Sequence, residues 1–362
     1  MILDKFLSAD HHATKSLPMQ LAIQGRLTDC LTRQRSGIIE LASELGIRAL
    51  ELSNDEVLDH NHVREIQTRL DAHGVRLVST YAYCWNTERD GSFPQAALDQ
   101  AHRSLDRAQL LGAEMIVLLN PPPKIGASVQ EMRQSFARCA DLLVPEIQRR
   151  GLQVNFNNSG ASAAYFGQAL YLKQMCEQYA PQARLTFDVG NWMLAGESVH
   201  EAIDLLAPWI SMVHVKDWTI QASSGSVRSK ARGRIQSVAR TILNSPLQGL
   251  FRSVGRAFGL KRRLQPGTLG VDGTWYIGAI AGQGVLDQRA ILTHLHRVGF
   301  NGHLCIEYEG LQDQTASLRQ SALFVKSILA EVLNEPPPRV PFPEPPSRSV
   351  AAPQVPGQTN DS

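Results

Sequence analysis

Short apolar runs alternate with longer helical patterns along most of the chain. The apolar runs are typical of strands and lie at 19–24, 47–53, 75–83, 114–120, 152–157, 184–189, 210–216 and 303–309. Between them, apolar residues recur at helical spacing, as in the segment SGIIELASELG. Several helical patterns end in a glycine directly before the next strand, at Gly46, Gly74, Gly112 and Gly151, which is a common way for a helix to stop. Strands that alternate with helices in this way predict parallel βα units.

The number of predicted strands favours one closed architecture. Eight βα units fit a (β/α)8 barrel, the TIM barrel, directly. An open doubly wound sheet is the alternative, but the first βα turn contains no GxGxxG motif. We therefore expect an α/β TIM barrel over residues 1–334, interrupted by an insertion at 219–271 after the seventh strand. Residues 335–362 are rich in proline and are predicted to form a disordered tail.

Alternation within the strands predicts which side chains point into the barrel. Barrel enzymes carry their chemistry at the C-terminal ends of the strands, and strand side chains alternate between two faces. In SMVHVKD, Val213 and Val215 suit the face beneath the helices, so His214 and Lys216 point inward. The same reasoning applied to the other strands points further polar residues inward, among them Glu51, Asn157, Asp188 and Glu307.

This inward polar set predicts a metal site. Burying several ionisable groups is costly unless they pair or bind an ion. Asp188, His214 and Glu307, with the amide oxygen of Asn157 beside them, would make a site of nitrogen and oxygen ligands for a hard divalent ion. The competing structural explanation is that His214 is an ordinary core histidine and that Asp188 pairs with Lys216.

Four motifs resemble a known family. The segments TFDVGNWMLAGES, VHVKDW, AGQGVLD and GFNGHLCIEYEG are similar to those of the sugar phosphate isomerase/epimerase family, whose members have xylose isomerase-like TIM barrels. The resemblance covers residues 19–333 without the insertion. It implies a small sugar-like substrate and one divalent metal, such as Mn, Mg, Co or Zn. In the family the metal is held by a glutamate of strand five and by the residues that match Asp188, His214 and Glu307.

The chain departs from the family pattern at two positions. The strand-five glutamate falls on Asn157, and a histidine that often contacts substrate falls on Asn191. The resemblance therefore implies weaker metal binding, with Glu307 as the remaining base, since an amide cannot accept a proton. Lys216 is then a cationic partner for an enediolate oxygen or a phosphate.

Further residues are expected at the mouth of the barrel, and two functional classes stay open. Glu51, Tyr83, Asn191 and Trp192 are candidate substrate contacts, and the aromatic rings could equally be ordinary rim packing. The expected function is isomerisation, epimerisation or dehydration of a sugar or sugar-like hydroxy-carbonyl compound by proton transfer at carbon. The alternative is a catalytically degenerate barrel that acts as a ligand-binding or membrane-surface protein.

Charge is strongly partitioned along the chain. The insertion at 219–271 contains ten Lys or Arg and no acid, and since the whole chain is +2, the remainder is −8. Within 226–263 apolar residues recur at helical spacing, which predicts two basic amphipathic helices over the active-site mouth. They could be a lid for an anionic substrate, a contact to an anionic membrane surface through 224–263, or a helical hairpin whose charges are solvated. A nucleic-acid contact is a further alternative, which we do not favour.

Cysteine usage and the N-terminal pattern predict a cytoplasmic protein. The five cysteines are scattered and form no CxxC pair, which favours free thiols in a reducing compartment. The first residues lack the pattern of a signal peptide, and no apolar run approaches about 20 residues. A peripheral membrane association through the insertion is compatible with this location.

Overall fold

The computed structural model describes most of the predicted barrel. It covers residues 19–26, 30, 37–53, 60–88, 92–124, 126–160, 163–221 and 267–334. The tail predicted at 335–362 and the basic segment predicted at 224–263 lie outside the described residues.

The strands close into a barrel. In chain order they are β1 (Gln20–Arg26), β2 (Ala49–Ser53), β3 (Arg76–Tyr83), β4 (Met115–Leu119), β5 (Gln153–Asn157), β6 (Ala183–Asp188), β7 (Ile210–Val215), β8 (Asp217–Gln221), β9 (Thr268–Leu269), β10 (Trp275–Ala279) and β11 (His303–Ile306). The barrel has the order β1-β11-β7-β6-β5-β4-β3-β2, and every neighbouring pair is parallel. The predicted TIM barrel is confirmed.

Helices connect the strands as the apolar spacing predicts. They are α1 (Ile38–Glu44), α2 (His60–His73), α3 (Gln95–Leu110), α4 (Val129–Arg149), α5 (Ala163–Phe166), α6 (Ala169–Gln178), α7 (Asn191–Ala195), α8 (Val199–Leu206), α9 (Gln288–Arg297) and α10 (Gln314–Val332). Gly46 and Gly151 follow α1 and α4 with φ of 65° and 73°, a left-handed conformation that glycine adopts without strain. The predicted glycine stops therefore have a conformational basis.

The core divides into the two faces that strand alternation predicts. Inside the barrel, Met212 and Cys305 pack in one apolar cluster with Tyr81 and Met115. The residues predicted to face the helices belong instead to the large outer core, and they include Leu50, Leu52, Val154, Phe156, Leu185, Phe187, Val213, Val215, Leu304 and Ile306. Polar side chains on the inner face must therefore find their partners within the barrel itself.

A second, small sheet follows the seventh barrel strand. Its strands β8, β10 and β9 pair antiparallel. Alternation did not predict this sheet, because its strands are short and only some of their residues are buried. Trp218 and Tyr276 anchor it by packing with Leu194 of α7. The two ends of the region predicted as an insertion are therefore strands next to the barrel mouth.

The structure describes the state of the cysteines and the character of the helices. All five cysteines are free thiols with buried side chains. Among the described residues, no helix combines the length and apolar character needed to cross a membrane.

Candidate functional site

The C-terminal ends of β6, β7 and β11 bring the predicted polar residues to one level. Asp188 on β6 is in register with His214 on β7, and His214 is in register with Cys305 on β11. Beyond β11, the backbone N–H of Glu307 donates to the carbonyl of Val215 at 3.2 Å, so the alignment continues past the strand. Register therefore places Asp188, His214 and Glu307 side by side at the barrel mouth.

His214 is the centre of this group. Its Nδ1 lies 3.2 Å from Glu307 Oε2 and 3.9 Å from Asp188 Oδ2, while its Nε2 lies 2.8 Å from Glu51 Oε1. Although Nε2 is close to Glu51, an N–H bond on Nε2 would not point at the carboxylate oxygen. Within the described part of the chain, Nε2 therefore makes no aligned hydrogen bond. His214 is thus held between acids on both of its ring edges.

Lys216 lies directly between two of the acids. Its Nζ is 2.9 Å from Asp188 Oδ2 and 3.0 Å from Glu307 Oε2, and both carboxylates are buried. Glu309 Oε2 is 3.5 Å away on a side chain that is 49% exposed. The pairing of Asp188 with Lys216, which sequence reasoning held open, is present, and it exists together with the histidine cluster.

A buried network across the barrel ties Glu51 to Glu307. The hydroxyl of Tyr81 donates to Glu51 Oε1. The Gln24 amide donates to the Tyr81 hydroxyl at 2.7 Å and to Glu307 Oε1 at 3.1 Å. With His214 in contact with both acids, five side chains from β1, β2, β3, β7 and the end of β11 form a closed ring.

Sequence reasoning missed Gln24 and Tyr81 in this ring and assigned Glu51 to substrate. Alternation along β1 could have pointed to Gln24, which shares a face with the inward Ala22. For Tyr81 the signal is weaker, because the register of β2 against β3 shifts between Leu50 and Glu51. The structure places Glu51, with no exposed surface, beneath His214 and not at the open mouth.

The two acids beside Lys216 have pKa values shifted in opposite directions. Burial raises the pKa of Asp188 to about 6, against the opposing attraction of Lys216. Burial also disfavours ionised Glu307, but Lys216 and His214 outweigh it and lower the pKa of Glu307. Burial likewise opposes the charged forms of His214 and Lys216, yet the surrounding carboxylates raise both pKa values. Glu307 is therefore the acid most firmly held as a carboxylate.

Asp188 is fixed by the loops on both sides of it. Its Oδ1 accepts from the backbone N–H groups of Gly190 at 2.9 Å and Asn191 at 3.2 Å, and its Oδ2 accepts from the Asn191 amide at 2.7 Å. Asn158 clamps the backbone of Asp188, accepting from its N–H and donating to its carbonyl, both at 2.8 Å. The uncharged asparagines at 158 and 191 therefore position the aspartate.

The remaining predicted residues differ in their burial and in their contacts. Asn157 is buried at the end of β5, where its amide donates to the Thr186 carbonyl at 3.2 Å. Tyr83 is partly exposed, and its ring lies 6.4 Å from that of Trp85. Trp192 is fully buried against Phe187, with ring centroids 5.0 Å apart. Because the Trp192 ring has no exposed surface, we assign Trp192 to the core and not to substrate binding.

Asp217 organises the loop beside the mouth. Its carboxylate accepts from the backbone N–H groups of Gly282, Gly284 and Leu286 at 3.0 to 3.2 Å. Gly284 approaches so closely that an added Cβ would lie 2.0 Å from the Asp217 carboxylate. The motifs VHVKDW and AGQGVLD therefore bind each other through Asp217. Lys216 directly precedes Asp217 in the sequence.

The donor set suits a divalent metal. Asp188, His214 and Glu307 each offer one ligand atom, all within 4.8 Å of one another. Within the described residues, Glu307 Oε2 is buried without an aligned hydrogen bond, and its close contacts are the cationic groups of Lys216 and His214, so a metal ion there would take the place of a positive charge. Two carboxylates and one imidazole are ligands of the type that Mn²⁺ or Zn²⁺ accepts. Glu51, His214 and Cys305 form a second such group on the inner side of the histidine.

Comparison with known proteins assigns the family. A family model described as a xylose isomerase-like TIM barrel matches residues 39–328. The chain belongs to the xylose isomerase-like TIM barrel family. No curated protein matches its sequence. The motif resemblance to sugar phosphate isomerases and epimerases is thereby confirmed at the level of the family.

Several solved structures share the fold at low sequence identity. A structure of the IolI protein with a bound zinc atom has 12% identity and a TM-score of 0.58, covering 87% of this chain and 98% of that one. The 3-keto-D-glucoside 4-epimerase YcjR from E. coli has 15% identity and a TM-score of 0.53, covering 85% and 99%. The probable 3-DHS dehydratase AsbF from Bacillus anthracis has 11% identity and a TM-score of 0.57, covering 85% and 99%. An epimerase and a probable dehydratase therefore share this fold.

Proposed function

We propose that this barrel is an enzyme that moves a proton at a carbon atom next to the carbonyl group of a sugar-like compound, with a divalent metal as cofactor. The observation that carries the proposal is the state of Glu307. Its carboxylate is buried at the barrel mouth, its pKa is lowered, and its Oε2 makes no aligned hydrogen bond among the described residues. Such a carboxylate is ionised at neutral pH. Its low pKa makes it a weak base, so it would accept a proton only from a carbon that a bound divalent ion makes more acidic.

The other residues of the site have matching roles. Asp188, His214 and Glu307 would hold the metal, with the side-chain amide oxygen of Asn157 as a further ligand. When bound, a divalent ion polarises a carbonyl oxygen and stabilises charge that develops on it. Lys216, whose Nζ also lies 3.5 Å from Glu309 at the barrel mouth, would stabilise from that side an oxyanion formed next to the carbon that loses its proton.

The position of Asn157 narrows the class of reaction. Epimerisation through two bases needs a proton acceptor on each side of the reacting carbon, and the amide of Asn157 cannot provide one. Asp188 is already engaged by Gly190, Asn191 and Lys216. A one-base isomerisation or a dehydration by β-elimination therefore agrees best with the side chains present.

Proton exchange with solvent tests the proposal without knowledge of the natural substrate. The protein is incubated with Mn²⁺ in D₂O with a panel of ketoses, aldoses and hydroxy-ketoacids, and NMR follows deuterium entry at the carbon next to the carbonyl. We expect exchange in at least one compound and its loss in Glu307→Gln. The matched control is Glu114→Gln, an acid next to the opposite end of β4. Exchange that survives in Glu307→Gln would exclude Glu307 as the base.

A second candidate is a barrel that binds a ligand without turning it over. The specific observation in its favour is that Lys216 fills the space between Asp188 and Glu307 while Asn157 replaces an acid. Absence of exchange across the whole panel, together with saturable binding of one of its compounds, would favour this candidate. Contact with an anionic membrane surface through 224–263 and a cytoplasmic location stay predictions from the sequence.

A further inference from the structure

Lys216 occupies the place between the two carboxylates that a metal ion would bridge. We propose that the Lys216 ammonium is the resident cation of this site, and that a divalent ion reaches Asp188 and Glu307 only by displacing it. The inference rests on the proposed function in one respect, the use of these two acids as metal ligands.

The hydrogen-bond capacity of Asp188 supports displacement. A carboxylate has about four acceptor positions. Two on Oδ1 are used by the backbone N–H groups of Gly190 and Asn191, and Oδ2 is contacted by the Asn191 amide at 2.7 Å and by Lys216 Nζ at 2.9 Å. Lys216 is the one partner of the four that lies outside the segment directly after Asp188. A metal that binds Asp188 therefore takes the position of the ammonium group.

Charge also opposes simultaneous occupancy. Lys216 and His214 face three buried acids, Glu51, Asp188 and Glu307. A divalent ion and an ammonium group that share two carboxylates would lie within a few ångströms of each other, where little water separates them and their repulsion is strong. Since residue 157 is an asparagine, no fourth acid at the end of β5 offsets that repulsion. The metal and the ammonium group are therefore alternatives.

The structure contains a position to which the displaced ammonium can move. Glu309 Oε2 is 3.5 Å from Lys216 Nζ, and this side chain is 49% exposed, so it can follow the lysine toward solvent. The lysine also lies 5.6 Å from the centre of the Trp218 ring, which offers a favourable surface for a cation. A small rotation of the lysine side chain would exchange its buried partners for Glu309.

Calorimetric titration of Mn²⁺ into the metal-free full-length protein tests the inference directly. Lys216→Met keeps the length of the side chain and removes its charge, so Mn²⁺ should bind at least about tenfold more tightly, equal to about 1.4 kcal/mol. Lys216→Arg keeps the charge and should bind Mn²⁺ no more tightly than the wild type. Lys326→Met, which removes a lysine that bonds to the backbone of Leu45 far from the site, is the matched control. Unchanged or weaker binding in Lys216→Met would overturn the inference.

A second variant guards against misfolding of Lys216→Met. Glu309→Gln changes a half-exposed side chain and removes the charge that receives the displaced ammonium, without touching a metal ligand. The variant should bind Mn²⁺ about threefold more weakly, equal to about 0.6 kcal/mol. This is part of what a charge-assisted contact between Lys216 and Glu309 contributes. Unchanged binding in Glu309→Gln would contradict displacement toward Glu309.

The outcomes separate this inference from the proposed function. If the wild type binds Mn²⁺ and Lys216→Met binds it equally, the inference fails and the metal-dependent function stands. If only Lys216→Met binds Mn²⁺, the inference is supported and a metal-dependent wild-type enzyme is excluded. If neither protein binds Mn²⁺, both are refuted.

Discussion

Glu51 provides the most direct test of how the buried ring is held together. The substitution Glu51→Gln keeps the size of the side chain and the acceptor for the Tyr81 hydroxyl, but it removes the charge 2.8 Å from His214 Nε2. Both side chains are buried, at 0% and 3% exposure. Breaking a buried ion pair by removing one partner costs about 3–5 kcal/mol. Because the hydrogen bond from Tyr81 is retained, we expect a loss near the lower end, about 3 kcal/mol at about pH 6.

The loss should depend on pH with a defined sign. Burial opposes protonation of His214, but Glu51 and Glu307 outweigh it and raise its pKa in the folded protein. A raised folded-state pKa contributes stability that is complete below the unfolded value of about 6.5 and disappears as the pH rises through the folded value. The destabilisation caused by Glu51→Gln should therefore be largest at about pH 6 and smaller at about pH 9.

Urea unfolding followed by circular dichroism, in metal-free buffer, measures both effects. With a urea m-value of about 3 kcal/mol/M, a loss of about 3 kcal/mol lowers the midpoint by about 1 M. Glu114→Gln is the control, because its carboxylate is 42% exposed and a surface pair contributes about 1 kcal/mol or less. A destabilisation equal to that of the control, or one that does not change with pH, would refute the assigned role of Glu51.

Two further substitutions test Asn157, the last residue of β5, and Asn158, which follows it. Asn157→Glu should bind Mn²⁺ more tightly than the wild type in calorimetry, because it adds a charged oxygen ligand at the end of β5. Equal or weaker binding would show that this side chain does not reach the metal. Asn158→Ala should destabilise the protein by about 2–4 kcal/mol in urea unfolding, since it leaves the buried backbone N–H and carbonyl of Asp188 unpaired. A loss below about 1 kcal/mol would show that water replaces the amide.

Alternation was sufficient to predict the fold and the inward direction of most site residues. The strand period separates His214 and Lys216 from Val213 and Val215, and the hydrophobic core divides in the same way. This works because the outer face of each barrel strand is covered by helices, so a polar residue there would be buried without partners.

Contacts across the barrel could not be predicted in the same way. Alternation shows that Glu51 points inward, but not that it reaches His214 three strands away around the barrel, because that depends on the shear and width of the closed sheet. The role of Asn158 could not be predicted either, because it binds the backbone N–H and carbonyl of Asp188, and every residue has these groups. Local pattern therefore predicted several members of the site but not Gln24 or Tyr81, and the pairing of the side chains required the closed barrel.

The two asparagines and the buried lysine are best understood together. With Lys216 and His214 both charged, the site balances two positive charges against Glu51, Asp188 and Glu307, which leaves one excess negative charge. An acid at residue 157 would add a second, which is costly at a buried position without a metal ion. The amides of Asn157 and Asn158 instead bond to the backbone of Thr186 and Asp188 and add no charge. An asparagine at the end of β5 therefore suits a site whose resident cation is a lysine.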